Sequence, residues 1–431
     1  MQRIDIGLVG FGTVGSGVVK ILKDRASLLE KKLGVRIHLK KICDINLRHK
    51  RIVQVSPALL TSDVKEILED PQIKIVVELI GGIHPAKEII IQALKNKKHV
   101  VTANKALLAE CAEEIFKVAK KNSRRVCFEA SVGGGIPIVK SLRESLISNR
   151  LQKIYGIVNG TSNYILSQMA QENWDFRRAL KVAHRLGYAE KRPFLDLKGK
   201  DSAHKLVILV ALGFGRWVPL NKVYIEGITD VSLNDIKYAQ ELGYAIKLLA
   251  IAKCEKDELE LRVQPTLISR EHLLSSVNGI YNAIYVSGDL VGVQVFYGEG
   301  AGRFPTASAV VSDIADLVYA SKQDAQACKP QFVYKTNIHR IRRIEEIISR
   351  YYIRFMAIDR PGVLARISGI LGQHKISIAS VSQKERKRAK IVPIVMMTHG
   401  ASERSLRLAL KKIDRLQTIK RKSVAIRVEQ L

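Results

Sequence analysis

The stretch "IDIGLVGFGTVGSGVVKIL", Ile4 to Leu22, decides the fold. It opens as an apolar strand, turns through Gly10-Phe11-Gly12-Thr13-Val14-Gly15, and continues in a helical pattern. Glycines at this spacing let a backbone approach a pyrophosphate, whose charge then rests on the helix N-terminus. The spacing alone is a weak signal. Its place between the first strand and the first helix makes it a dinucleotide site. Working outward, "VRIHLKKICDI" reads as a second strand, and "IKIVVELIGG" and "KKHVVTANK" as two more, with helical stretches between them. Repeated βα units imply a parallel sheet with helices on both faces. Asp44, ending the second strand, could accept a hydrogen bond from a ribose hydroxyl, as NAD requires. The following Arg48-His49-Lys50-Arg51 could attract the 2′-phosphate of NADP, or form a solvated loop. The basic run tilts the reading towards NADP and leaves NAD open.

A length of 431 residues allows about three ordinary domains, and 47% apolar residues suffice for packed cores. The apolar run Leu206 to Phe214 is too short to span a bilayer, and the chain enters a strand at once, leaving no room for a signal peptide. Five cysteines (Cys43, Cys111, Cys127, Cys254 and Cys328) are scattered without a CxxC pair. That argues against a disulfide scaffold or a thiolate metal site, and for a reducing, cytoplasmic location. With 71 basic against 41 acidic residues the net charge is +30, so a nucleic-acid partner must be weighed. The basic residues are spread along the chain, aromatics are 6%, and no stacking motif or zinc finger is present. Neither nucleic acid nor membrane is expected as a partner.

The first domain is expected over residues 1–130. A second, over 131–340, carries the glycine-rich turns of "EASVGGGIPIVKSL", "GIVNGTSNYIL" and "GEGAGRFPTASAVVSDIADL". A helix over 306–320 would pack back on the first domain. "NIHRIRRIEEIISR" reads as a helical connection. From Tyr351 onward, "YYIRFMAID", "RPGVLARISGILGQH", "ISIASVSQ", "IVPIVMMTHG", "SERSLRLALKKIDRL" and "KSVAIRVEQ" follow the order βαββαβ, a ferredoxin-like module over 351–431, with "KERKRAK" as a turn.

One further stretch raises a question of chemistry. In "DLKGKDSAHKLVILV", Asp196 to Val210, Lys205 follows Asp201 by four residues, so the two share a helix face. Taken alone, this pair is a solvated ion pair worth about 0.3–0.5 kcal/mol. The motifs around it change that reading.

In order along the chain, "GLVGFGTVGSGV", "VVTANKALLA", "EASVGGGIPIV", "NGTSNYIL", "GYAE", "LDLKGKDSAHKL" and "GAGRFPTASAVVSDI" resemble homoserine dehydrogenases. "DRPGVLARISGIL" with "ISIASVSQ" resembles the ACT regulatory domain that some members carry. The resemblance spans essentially the whole chain. It implies an α/β protein with a Rossmann-type doubly wound dinucleotide domain, an α+β catalytic and dimerisation domain and a C-terminal ferredoxin-like ACT domain. It also implies reversible NAD- or NADP-dependent reduction of L-aspartate 4-semialdehyde to L-homoserine. Reducing an aldehyde places negative charge on its oxygen, so a proton donor or fixed cation is needed there. The resemblance makes Lys205 that donor, Asp201 its orienting partner and a substrate contact, and Lys105 a third catalytic residue that contacts both cofactor and substrate and could share the proton transfer. Substrate contacts fall on Glu190, Asp196 and Thr161. Cofactor contacts fall on Gly10, Phe11, Gly12, Thr13, Val14, Gly15, Thr102, Gly187 and Gly302. A monovalent cation, sodium, would be held by Glu129 and the carbonyls of Val132, Gly134 and Ile136. The loop Asp359, Arg360, Gly362, Val363 and Leu364 would meet L-threonine as a feedback inhibitor. A homodimer or homotetramer is implied.

Three places depart from the family's pattern towards positive charge: His84, Lys191-Arg192 and Lys375, the last where Gly or Asn would ease a turn. Rival readings are an amino-acid sensor without catalysis, a nucleic-acid binder, or another dehydrogenase on this scaffold.

Overall fold

The computed structural model describes residues 2–48, 51–190, 193–322, 340–383 and 391–430. The chain forms two compact units. The first comprises residues 1–158, 201–222 and 281–337, and the second 159–200, 223–280 and 338–431.

In the first unit six strands form one sheet: β1 (Arg3–Val9), β2 (Arg36–Cys43), β3 (Leu60–Thr61), β4 (Ile73–Glu78), β5 (His99–Thr102) and β6 (Val126–Cys127). Every pairing is parallel and the order is β3-β2-β1-β4-β5-β6. This is the doubly wound order, which reverses beside β1 and opens a ligand crevice at the strands' C-terminal ends. Ile4, Ile6 and Leu8 of β1 are buried in the same apolar cluster as Val310, Ile314 and Leu317 of the helix Arg303–Lys322. That helix crosses Thr13–Asp24 so closely that a Cβ on Gly17 would lie 3.0 Å from the Ala307 Cβ. An antiparallel ribbon completes the unit, with Tyr281–Gly288 between Gly292–Glu299 and Leu151–Ile157.

His99 begins β5, and its Nδ1 accepts a hydrogen bond from the Arg125 N–H at 3.0 Å. Burial, with Arg124 and Arg125 nearby, pushes the imidazole pKa down to about 4. The unfolded chain therefore takes up this proton first, near pH 6.5. The histidine's contribution is complete above that pH and is lost as pH falls towards 4, a loss of about 3 kcal/mol at most. Melting temperature is expected to fall across pH 6.5 to 4, and less steeply in a His99→Gln variant. Parallel slopes would show that other groups govern acid stability.

In the second unit Tyr244–Glu255 and Glu258–Ser269 form a long hairpin. It turns at Lys256-Asp257, both with positive φ, as tight hairpins require. The C-terminal module has antiparallel strands in the order Ile419–Glu429, Ile348–Ile358, Ile391–Thr398, Ile378–Gln383. Helices Val363–Gln373 and Glu403–Ile413 bury Ile367, Leu371, Leu406 and Ile413 in the module's core. The expected βαββαβ order is thus observed, and Lys375 has φ +59°, the left-handed turn that the sequence marked. The final strand also pairs in parallel with Glu258–Ser269, from Thr266↔Arg427 to Ile268↔Glu429.

One expectation is corrected. In its described part, the stretch read as a helical connection is a short strand Arg340–Ile341, a 3-10 turn Ile344–Glu346 and the start of strand Ile348–Ile358. Isoleucines three apart suit a helix on paper, but Arg340 and Arg342 are drawn to one carboxylate, Glu258, at 2.5 and 2.8 Å. Their backbone pairs there with Glu258–Ser269 instead. The two arginines hold the Glu258 carboxyl down at about 2. Residues 384–390, read as a turn, lie outside the described residues, as do His49, Lys50, Lys191, Arg192 and Cys328.

Candidate active site

The glycine turn has the geometry its sequence demands. Gly10 has φ +99°, and a Cβ there would lie 2.7 Å from the Leu79 carbonyl. A Cβ on Gly15 would lie 2.1 Å from the Gly10 oxygen, whereas Gly12 faces open space. The helix Thr13–Asp24 starts without a side-chain cap, leaving its first N–H groups for an anion. Asp44 serves the turn itself. Its carboxylate accepts the Phe11 N–H at 2.6 Å and the Asn46 N–H at 2.8 Å. Arg51 stands 3.6 Å from Asp44, donates to the Phe11 carbonyl at 2.8 Å, and lies over the Phe11 ring. Arg51 is thus folded against the turn, while Arg48 is exposed.

At the C-terminal end of β5, Thr102 is fully buried and donates to the Glu78 carboxylate at 2.6 Å. Asn104 caps the helix Lys105–Lys121 through the Leu107 N–H and donates to the Gly82 carbonyl. These contacts place Lys105 on the first turn of that helix, at the crevice end of the sheet. Lys105 Nζ lies 2.7 Å from Asp201 Oδ1. The other carboxylate oxygen, Oδ2, accepts from Lys205 Nζ at 2.8 Å, and Lys205 also donates to the Val158 carbonyl at 2.5 Å. Asp201 and Lys205 are buried, while the Lys105 side chain is 41% exposed. Burial alone would raise the Asp201 carboxyl, but the two lysines hold it well below the usual carboxylate range. One carboxylate thus engages two ammonium groups. Ammonium groups placed beside a reacting oxygen stabilise an oxyanion. The apolar run Leu206 to Ala211 is buried and anchors the helix Lys200–Phe214 that carries the pair.

In the second unit, Asn159 caps the helix Gly160–Gln171 by accepting the Ser162 N–H at 2.8 Å and donates to Asp196 Oδ1 at 2.7 Å. Ser162 Oγ donates to the Asp196 carbonyl at 3.0 Å. Thr161 Oγ1 donates to the Tyr188 carbonyl at 2.6 Å, which ties the turn after Gly187 (φ +76°) to that helix. Glu190 is exposed at the end of this turn. Gly302, in the first unit, has φ +126° just before helix Arg303–Lys322.

The glycine run at 133–135 lies beside Glu129 in the chain. Glu129 accepts the Val139 and Lys140 N–H groups at 2.9 and 2.8 Å, one on each oxygen. Ile136 O accepts from the Ile138 N–H at 2.8 Å. Among the described residues, no backbone hydrogen bond ends on the buried carbonyls of Val132 or Gly134. A carboxylate with oxygen capacity left and two unengaged carbonyls fit a hard monovalent cation. In the regulatory module, Gly362 (φ +85°) caps the helix Val363–Gln373. Val363 is buried beside it, and Leu364 and Asp359 are exposed.

The shared carboxylate is non-local: only the Asp201–Lys205 pair was visible as a spacing in sequence. Glu78, Asn104, Asn159 and the Val158 carbonyl, which position the site residues, were not singled out. Polar residues at strand ends and helix caps were the available signal.

A glycine turn on a doubly wound sheet, with paired lysines on one buried carboxylate, defines a dinucleotide-dependent oxidoreductase. Family models for homoserine dehydrogenase match residues 137–315, for its NAD-binding domain residues 10–129, and for the ACT domain residues 351–417. A homoserine dehydrogenase of Synechocystis sp. is 45% identical, over 99% of this chain and 100% of its own. The crystal structure of one from Thiobacillus denitrificans is 43% identical with a TM-score of 0.93, covering 100% of this chain and 99% of its own. A hyperthermophilic archaeal homoserine dehydrogenase mutant, solved in complex with NADPH, is 27% identical with a TM-score of 0.62 over 73% of this chain and 98% of its own. The chain belongs to the homoserine dehydrogenase family, with a C-terminal ACT domain.

Proposed function

We propose that the protein interconverts L-homoserine and L-aspartate 4-semialdehyde, with Lys205 exchanging a proton with the reacting oxygen. The observation that carries this reading is Asp201 bridging Lys105 and Lys205 at the crevice end of β5. A bound nicotinamide cofactor supplies or accepts the hydride. Lys205 donates a proton to the aldehyde oxygen, or takes one from the alcohol. Asp201 orients Lys205 and pairs with both amines. Lys105, the more exposed amine, steadies the developing oxyanion and the cofactor. Asp196 and Glu190 are carboxylates suited to the substrate ammonium, and Thr161 orders the helix start beside them.

The first turn of Thr13–Asp24 would hold the pyrophosphate, with Gly187 and Gly302 beside the nucleotide. NADP is the preferred partner in this proposal. The Asp44 charge is engaged by two N–H groups with Arg51 beside it, and Arg48 is exposed to meet a phosphate. Glu129, Val132, Gly134 and Ile136 would hold a sodium ion that ties the glycine run together. L-Threonine, at Asp359, Arg360, Gly362, Val363 and Leu364, is proposed as the feedback ligand, with pairing of modules between subunits of a homodimer or homotetramer. The four described cysteines are free thiols, in keeping with a cytoplasmic enzyme. Among the described residues, no helix is long and apolar enough to cross a membrane.

Nicotinamide absorbance with L-homoserine and either cofactor is expected to show turnover with both and a higher kcat/KM with NADP. L-Threonine should slow it. Absence of turnover with both would refute the proposal. Turnover indifferent to threonine would refute the regulatory part alone.

A further inference from the structure

Arg427 lies on the last strand of the regulatory module, Ile419–Glu429, and is 4% exposed. It grips Glu403 of its own module with two hydrogen bonds, at 2.9 and 2.6 Å. Its remaining guanidinium nitrogen, Nη1, leaves the module and donates to Glu226 Oε2 at 2.9 Å. Tyr224 OH donates to the same oxygen at 2.8 Å, and the Arg427 guanidinium lies over the Tyr224 ring.

Glu226 begins a turn that touches Leu197, the residue after the proposed substrate acid Asp196. The Glu226 N–H donates to the Val263 carbonyl at 2.7 Å, and the Ile228 N–H donates to the Leu197 carbonyl at 2.9 Å. Between them Gly227 comes so close that a Cβ would lie 2.1 Å from the Leu197 oxygen. Leu197 closes the one-turn helix Phe194–Leu197, in which Asp196 is the preceding residue. Asp196 in turn holds Asn159, the cap of Gly160–Gln171. Four residues are too few to hold a helix by its own hydrogen bonds. Its position therefore depends on what it leans against, and the Glu226–Ile228 turn is one such support.

We propose that Glu226 is a positioning residue: held by Arg427, it sets the turn on which Asp196 rests and so ties the regulatory module to substrate binding. This rests on the proposed role of Asp196 towards the substrate ammonium. One ion pair, buried on its Arg427 side, and one backbone hydrogen bond separate the module's last strand from Leu197, the residue next to that acid. Loosening the pair alters where Asp196 stands, so it acts on the affinity for the amino acid and not on the proton transfer by Lys205.

The full-length Glu226→Ala and Glu226→Gln variants test this beside the unaltered protein. Glu226→Ala is expected to raise the KM for L-homoserine about tenfold, with kcat and the cofactor KM changed less than about twofold. Glu226→Gln keeps an acceptor for Arg427 and should restore most of the loss. Hydrogen exchange of the Ile228 amide reads the link without turnover: it should speed up in Glu226→Ala and stay near its original rate in Glu226→Gln. An unchanged homoserine KM with unchanged exchange overturns the proposal. Equal changes in kcat and both KM values, with no rescue by Gln, also overturn it and leave a merely structural role. An unaltered protein without turnover refutes the proposed function instead, and the Ile228 exchange still decides whether the pair sets the turn.

Discussion

Replacing Lys205 by Ala is expected to lower kcat/KM for L-homoserine by about 10²–10⁴-fold while leaving cofactor affinity nearly unchanged. Lys205 is buried and its amine reaches Asp201 Oδ2 and the Val158 carbonyl. Removing it takes away the group that moves the proton. The glycine turn that would hold the nucleotide is built from other residues and stays intact. The fold should survive. Asp201 keeps Lys105 as a partner, and the Val158 carbonyl loses one donor at a cost of about 1–3 kcal/mol.

A Lys205→Arg variant separates charge from proton transfer. Guanidinium keeps the positive charge but stays protonated at any working pH, so it can steady an oxyanion and cannot accept a proton. Its wider head must also fit a buried position, so its turnover should stay far below that of the original enzyme. Steady-state kinetics with a fluorescence titration of the reduced cofactor would settle the assignment. An Ala variant within about tenfold of the original kcat/KM, against the 10²–10⁴ range for a positioned acid or base, would remove Lys205 from that role.

What was legible in the sequence follows from how local the physics is. The glycine turn could be recognised because Gly10 needs a positive φ and Gly15 a close backbone approach, demands that only glycine meets. The βαββαβ order could be recognised because each strand and helix carries its own period. Lys375 was legible as a strained turn because the family's pattern has Gly or Asn there, and its φ is +59°. Partnerships across long separations were not. Lys105 joins Asp201 from a separate segment of the first unit, and Arg427 joins Glu226 across 201 residues. The misread stretch before Ile348 failed for the same reason: Glu258, far earlier in the chain, captures Arg340 and Arg342. In the sequence Arg51 is one of four basic residues suited to a phosphate. Its fold-back over Phe11 depends on Asp44 and the turn together.

Asp201 is where stability and chemistry meet, and Asp201→Asn should damage both. The carboxylate offers one oxygen to each lysine, at 2.7 Å to Lys105 and 2.8 Å to Lys205. An amide has one oxygen and one NH₂, so one lysine must face a donor. The buried Lys205 ammonium would then stand beside the more exposed Lys105 without the Asp201 carboxylate between them. Breaking a buried pair in this way costs about 3–5 kcal/mol, and the misplaced Lys205 should lower kcat/KM by at least about 10²-fold. The sign of the pH effect follows from the depressed carboxyl. Its folded pKa lies below the unfolded value, so its contribution is present above the ordinary carboxylate range and is lost as pH falls through that range towards the folded value. Denaturant unfolding should therefore show the largest gap between the two proteins at neutral pH, narrowing below about pH 4 as the unfolded carboxyl takes up its proton. In the variant Lys205 also loses the charge that favours its protonated form, so the pH profile of kcat/KM should move to lower pH. A variant with unchanged stability at pH 7 and an unshifted profile would show that Asp201 does not govern the two lysines.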